Sequence, residues 1–357
     1  MPKKTIQTTS KPKRPPEQSK KSIQFDLFGK FIANNTDEIR NTIELWEGIP
    51  KYFFTTALIE KLRTADGLAK PFSWEYTTRR SSEIQKFRVV IQPAIIKQDD
   101  GSYLAVFPSA SEEMIEEILK KILLEQNMGI HDSDKVESWV RFTLSMIHRE
   151  LKERGRERNR NQIKHSLDVM SKTIIQVFCE DKEIYRGPIL SDVFFVDREA
   201  YLEKADTLWS ARLPALLSLG INEMVYRQYN YGRFWVCDEQ LSRWIYKRLV
   251  NRFIQAGEKV EYSILYSEIK QSSGMLQAKL EQSNRRKVES SFEELKKNGV
   301  LLSVEIATIK DKNNKILDVK YTLVAADEFI KEQKAANKRK NDHHISALQS
   351  GLVINHK

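Results

Sequence analysis

Two stretches of the chain, 159–170 and 284–295, place guanidinium and amide side chains ahead of the same apolar spacing. Asn159-Arg-Asn-Gln-Ile-Lys-His-Ser-Leu-Asp-Val-Met and Asn284-Arg-Arg-Lys-Val-Glu-Ser-Ser-Phe-Glu-Glu-Leu align without a gap. Arg offers paired donors that match guanine O6 and N7, and Asn or Gln matches adenine N6 and N7, so the chemistry of this mixture is the reading of base edges. In the second stretch the candidate base contacts are Ser283, Asn284, Arg285, Arg286 and Lys287, with Lys279, Lys310, Lys312 and Lys315 placed to hold phosphates. In the first they are Arg156, Arg158, Asn159, Arg160, Asn161, Gln162 and Lys164. Any one of these arginines alone reads as a solvated helix face. The recurrence of the cluster at one register is what argues for DNA.

Such residues need a helix that presents them at its leading end. Ile163, Leu167 and Met170, and equally Val288, Phe292 and Leu295, follow the i, i+4, i+7 spacing that lines one helix face. Each stretch follows a shorter amphipathic helix and precedes alternating strands. That order predicts an α+β fold of two winged helix-turn-helix domains, in which the second helix of each turn enters the major groove. The expected organisation is a disordered basic arm over 1–22, a first winged-helix domain over 37–196, an aromatic-rich connector over 197–237, a second winged-helix domain over 238–330, and a flexible basic tail over 331–357.

Within the first domain, residues 37–65 are helical in pattern, broken at Gly48 and Pro50. Alternating segments start at Phe72, Phe87 and Tyr103, and the turn Asp99-Asp-Gly101 is expected to join the last two. Ser111 opens a helix to about Gln126, and 138–154 is the scaffold helix, with Leu144, Ile147 and Leu151 buried and Gly155 as its break. A strand over 173–178 and a partner near 189–196 make the wing, interrupted at Gly187-Pro188. In the second domain, Leu241, Trp244, Ile245, Leu249 and Phe253 mark the first helix, and Ser263 caps a helix that carries Leu265 and Ile269 and ends at Gly274. Asn298-Gly299 ends the recognition helix, and strands 302–306 and 317–323 flank a basic tip over 310–315. In the connector, Trp209, Tyr226, Tyr229, Tyr231, Phe234 and Trp235 have two uses, stacking on unpaired bases or filling the seam between domains, and the second is favoured.

Composition sets the remaining bounds. The 357 residues suffice for two cores, and a net charge of +10 favours a polyanionic partner, double-stranded DNA before a membrane surface. Two cysteines make neither a disulfide framework nor a zinc site, no apolar run suits a membrane span, and the start lacks a secretory apolar region, so a cytoplasmic protein is expected. No Gly-x-x-x-x-Gly-Lys-[Ser/Thr] phosphate loop occurs, and the six histidines include no closely spaced pair of the kind a metal-dependent nicking enzyme needs. His343-His344 lies in a polar tail, and Asp318-Val-Lys320 reads as solvent-facing positions on a wing strand rather than a nuclease motif. No enzyme activity, cofactor or metal is expected.

Several segments resemble the replication initiator proteins of theta-replicating bacterial plasmids: Glu44-Leu-Trp-Glu-Gly-Ile-Pro-Lys-Tyr-Phe, Arg63-Thr-Ala-Asp-Gly, Phe107-Pro-Ser-Ala, Gly129-Ile-His-Asp, Glu137-Ser-Trp-Val-Arg-Phe-Thr-Leu, Trp209-Ser-Ala-Arg-Leu-Pro and Tyr226-Arg-Gln-Tyr-Asn-Tyr. The likeness runs from about Leu45 to Leu323. It implies two winged-helix domains that bind repeated origin sites (iterons), recruit a host initiator and the replicative helicase, and exchange between monomer and dimer. It also implies that the second domain reads the iteron while the first serves dimerisation and added DNA contact. The alternatives are a tandem winged-helix transcriptional repressor and, in another class, a metal-dependent nicking initiator or nuclease.

Overall fold

The computed structural model describes residues 39–42, 44–80, 83–125, 128–195, 207–223 and 226–349. The basic arm expected over 1–22 lies outside them. The chain starts with strand β1 (Ile39–Thr42) and two short helices, α1 (Glu44–Glu47) and α2 (Thr56–Leu62). The helical pattern of 37–65 is therefore broken where Gly48 and Pro50 predict, but Ile39–Thr42 is a strand. It pairs antiparallel with β12 (Arg227–Asn230), a partner that no local pattern reveals.

Strands β2 (Phe72–Arg80) and β3 (Glu83–Gln92) form a long hairpin, followed by a second, shorter one, β4 (Ala94–Lys97) and β5 (Tyr103–Val106). The Asp99-Asp-Gly101 turn closes β4 on β5 and not β3 on β5, because Pro93 separates β3 from β4 and has no N–H to continue a ladder. Helix α3 (Ala110–Leu123) is opened by Ser109 rather than Ser111, through a capping box in which Glu112 bonds back to the Ser109 backbone.

Strands β6 (Gly129–Asp132) and β7 (Glu137–Phe142) precede α4 (Leu144–Glu153) and α5 (Arg160–Lys172). The scaffold helix is thus shorter than 138–154. Ser138, Val140 and Phe142 are buried at period two and form a strand, and Thr143 caps the helix proper, whose buried Leu144, Ile147 and Leu151 stand where the spacing put them. Gly155 ends the turn at φ +68. The wing consists of β8 (Ile174–Cys179) and β9 (Lys182–Pro188), not a partner at 189–196. Glu180 and Asp181 take φ +48 and +64, the two-residue turn that suits a tight hairpin, and Gly187-Pro188 lies inside the strand. Residues Ser191–Phe195 are β10, which joins β11 (Trp209–Arg212), β7 and β6 in a separate sheet, while the wing extends the β2–β3 sheet.

Helix α6 (Ala215–Asn222), β12 and α7 (Tyr231–Val236) lead to the second unit. There α8 (Gln240–Arg252), β13 (Glu261–Leu265), α9 (Tyr266–Ser273), α10 (Glu281–Lys297), β14 (Leu301–Lys310) and β15 (Ile316–Ala325) run in the order helix, strand, helix, helix, strand, strand, with the sheet ordered β13-β15-β14. Ser263 belongs to β13 and caps nothing. The first turn of α9 is served from across the unit, where Asp318 accepts from the Ser267 N–H at 3.1 Å and from its hydroxyl at 2.5 Å. The wing-strand Asp318 therefore has a capping job and is not simply solvent-facing. The stretch expected as a flexible tail continues instead as helix α11 (Asp327–Gln349), anchored by buried Phe329, Ile330 and Ala336.

One apolar core runs through both units, from Trp46 and Ile118 to Tyr246, Phe292 and Phe329. The connector aromatics Trp209, Tyr226, Tyr229, Tyr231, Phe234 and Trp235 are all buried in it, which is the seam-filling use and leaves no exposed ring for bases.

Candidate nucleic-acid interface

Helix α10 has the amphipathic build that its spacing predicts: Val288, Phe292 and Leu295 face the core, Phe292 lying 5.0 Å from the Tyr321 ring. The leading end is held to α9 by side chains. Glu281 accepts from both Tyr266 Oη and Lys270 Nζ, and those hydrogen bonds keep its carboxyl below the usual glutamate range. Asn284 is 2% exposed. Its Oδ1 accepts from Ala278 N and its Nδ2 donates to Ala278 O, both at 3.0 Å, which fastens the loop between the two helices. Asn284 is therefore corrected from a base reader to a buried brace, since both ends of its amide are already used.

The neighbouring candidates stand differently. Ser283, Arg286 and Lys287 are exposed, and Arg285 is half-buried, its charge felt by Tyr266 and Tyr321. Lys279 is exposed in the loop before α10, and Lys310, Lys312 and Lys315 are exposed at the wing tip. Asp311 shapes that tip by accepting the Asn313 and Lys315 N–H groups, each at 2.8 Å, with Asn314 at φ +62. Among the described residues, no ion pair engages any of these basic side chains of α10, the loop or the tip. Gln282 belongs with them. It is exposed in the first turn, four residues before Arg286 on the same face, and the i−4 relation to Arg286 was the signal available for it.

The first unit uses its polar cluster otherwise. Asn159 caps α5 and accepts from Gln162 N at 2.9 Å, while Gln162 Oε1 accepts from Asn159 N at 3.0 Å, so both amides complete a capping box instead of waiting for adenine. Arg156 pairs with Asp238 of the second unit, Arg158 donates to Ser111 at 3.2 Å, and Arg160 donates to Ser145 at 3.4 Å. Asn161 is exposed and Lys164 half-buried. The tip of this wing is Glu180-Asp181, acidic where the second is basic. The two clusters match in sequence register, but the second is the more open, since in the first only Arg160 is an exposed arginine and it reaches Ser145.

Further contacts join the units. Trp74 Nε1 donates to Gln271 O at 2.7 Å, Thr77 to Gln271 Oε1 at 3.1 Å and Ser272 to Thr77 O at 3.1 Å, which lays α9 across β2. Beside this, Glu113 pairs with Arg243 at 3.1 Å, and Lys247 bridges Glu117 at 2.5 Å and Glu47 at 3.0 Å. Tyr229 donates to Glu117 and Tyr52 to Glu116, each at 2.5 Å. Burial alone would raise Glu47, but Lys120 and Lys247 override it and hold the carboxyl far below its ordinary value.

Among the described residues no helix is long and apolar enough to cross a membrane, and no group of three His, Cys, Asp or Glu side chains is placed to hold a metal ion. No family model and no curated protein matches the chain. Solved structures similar to it include a selenomethionine derivative of domains 2 and 3 of RctB, at 11% identity and TM-score 0.42 over 75% of this chain and 98% of that one. A second structure of RctB domains 2–3 is similar at 12% identity and TM-score 0.38 over 79% and 100% of the two chains. The Pi initiator protein in complex with iteron DNA is similar at 10% identity and TM-score 0.41, over 60% of this chain and 91% of that one.

Proposed function

We propose that the protein is a sequence-specific, non-enzymatic binder of double-stranded DNA that initiates replication at repeated origin sites. The observation that carries this is the leading end of α10: an apolar stripe holds the helix down while Gln282, Ser283, Arg286 and Lys287 stay exposed and, among the described residues, free of ion pairs, beside a basic wing tip shaped by Asp311. In a winged helix that end enters the major groove and the tip follows the backbone. The second unit is then the base reader. The first, with its arginines engaged internally and an acidic wing tip, contributes less to sequence choice and is the unit left for self-association. The resemblance seen in the sequence extends this to iteron repeats, recruitment of a host initiator and the replicative helicase and a monomer–dimer exchange; we add repression of its own promoter, and bending of the site to help strand opening.

Footprinting on DNA flanking its own gene tests the proposal. Protection at regularly spaced direct repeats is expected. A lone protected palindrome points to a transcriptional repressor, and absence of any protection at modest salt removes DNA reading altogether. Strand cleavage on adding a divalent metal would place the protein in the nicking class.

A further inference from the structure

A cavity of about 250 Å³ lies in the seam, lined from the first unit by Tyr76 and Phe87 and from the second by Trp244, Arg248 and Met275, with Lys51 on the segment after α1. Its carboxylates are all engaged. Glu47 and Glu117 hold Lys120 and Lys247, Glu116 accepts from Trp46, Tyr52 and Lys120, Glu113 takes Arg243, and Glu44 pairs with Arg252. The donors are not. Lys51 is 3% exposed, and its ammonium, with three N–H groups, finds one acceptor, Trp46 O at 2.8 Å, and no ion pair among the described residues. It rests 4.3 Å from the Trp46 ring and 5.0 Å from the Tyr52 ring. Arg248 is bound by Glu268 at one end of its guanidinium, while its buried Nε has no partner. Burial draws the Lys51 ammonium below its ordinary value despite Glu116 and Glu47, the direction expected of a cation short of hydrogen-bond acceptors.

A buried site with spent acceptors, unspent donors and aromatic walls selects a ligand that brings acceptors and a flat apolar body. We infer that this seam cavity is a binding site for a small planar aromatic anion, an aromatic carboxylate in chemical class, held between Lys51 and Arg248 with its ring against Trp244, Tyr76 and Phe87. The ligand touches both units and closes the cavity between them.

Calorimetric titration of the full, DNA-free chain with indole-3-carboxylate and with its neutral isostere indole-3-carboxamide is the test. The carboxylate is expected to bind about tenfold or more tightly than the amide, as a charge-assisted hydrogen bond in a buried site provides. In Lys51→Met that preference is expected to disappear. No heat from either compound at millimolar concentration, equal affinities in the natural chain, or an intact preference in folded Lys51→Met would each overturn the inference. The comparison of the two compounds on the natural chain decides it even if that variant does not fold.

Discussion

Asn284 and Arg286 sit two positions apart on α10 and have opposite fates. The helical turn between them sends the amide inward to Ala278 and leaves the guanidinium outside. Arg286→Ala is expected to cost about 1–3 kcal/mol of specific DNA binding while leaving fold and non-specific binding nearly unchanged, measured by fluorescence anisotropy on cognate and scrambled duplexes. Asn284→Ala is expected to behave in the reverse way. It strands the Ala278 N–H and carbonyl, so urea denaturation should show a loss of about 1–3 kcal/mol. If Asn284→Ala keeps full stability but loses base discrimination, the assignment of its amide to the loop is wrong. Composition alone does not separate these two residues, since both are polar and both suit base recognition. What separates them is a six-residue loop closure that only the folded chain displays.

At the scale of elements, Gly274 carries the tightest constraint. It ends α9 in the left-handed region at φ +68, and a Cβ there would stand 2.7 Å from the Phe53 ring of the other unit. Gly274→Ala should therefore exceed the ~1–2 kcal/mol of backbone strain alone, and the urea midpoint of the full chain should fall accordingly. An unchanged midpoint would mean that α9 is not pressed against that ring. The sequence reading reached α5, α8 and α10 because their burial follows 3.6-residue periodicity and is decided locally. It missed β1, whose partner is about 190 residues distant (Ile39 against Asn230), and the true wing strand β9, whose Glu180-Asp181 turn lacks the usual Asn-Gly signature. Residues 331–357 read as a tail because Lys338-Arg339-Lys340 is a run of basic side chains, although Phe329, Ile330, Gln333 and Ala336 at i, i+1, i+4, i+7 form a buried stripe.

Across the whole molecule, the two units are locked by charges that are largely buried. Glu47 and Glu117 are held below the ordinary glutamate value of 4.5, against the upward push of burial, by Lys120 and Lys247. A depressed carboxyl contributes stability that is fully present above the unfolded value and is lost as pH falls through the folded one. The urea midpoint should thus hold near neutrality and drop below pH 4.5, and Glu47→Gln should flatten that drop while lowering stability at neutral pH by leaving Lys120 and Lys247 short of a partner. A midpoint indifferent to acid would show that these pairs are not what joins the units. The placement of α9 across β2 has a consequence for the DNA as well. A backbone contact added by the first unit would sit at one fixed rotational phase from the base reader, where a slack tether would accept many separations. Since duplex DNA turns once in about 10–10.5 base pairs, roughly 34–36 Å, inserting about five base pairs within the target would swing one sub-site to the far side, and inserting a whole turn would carry it out of reach. Bandshift titration of such spacer variants should find neither tolerated.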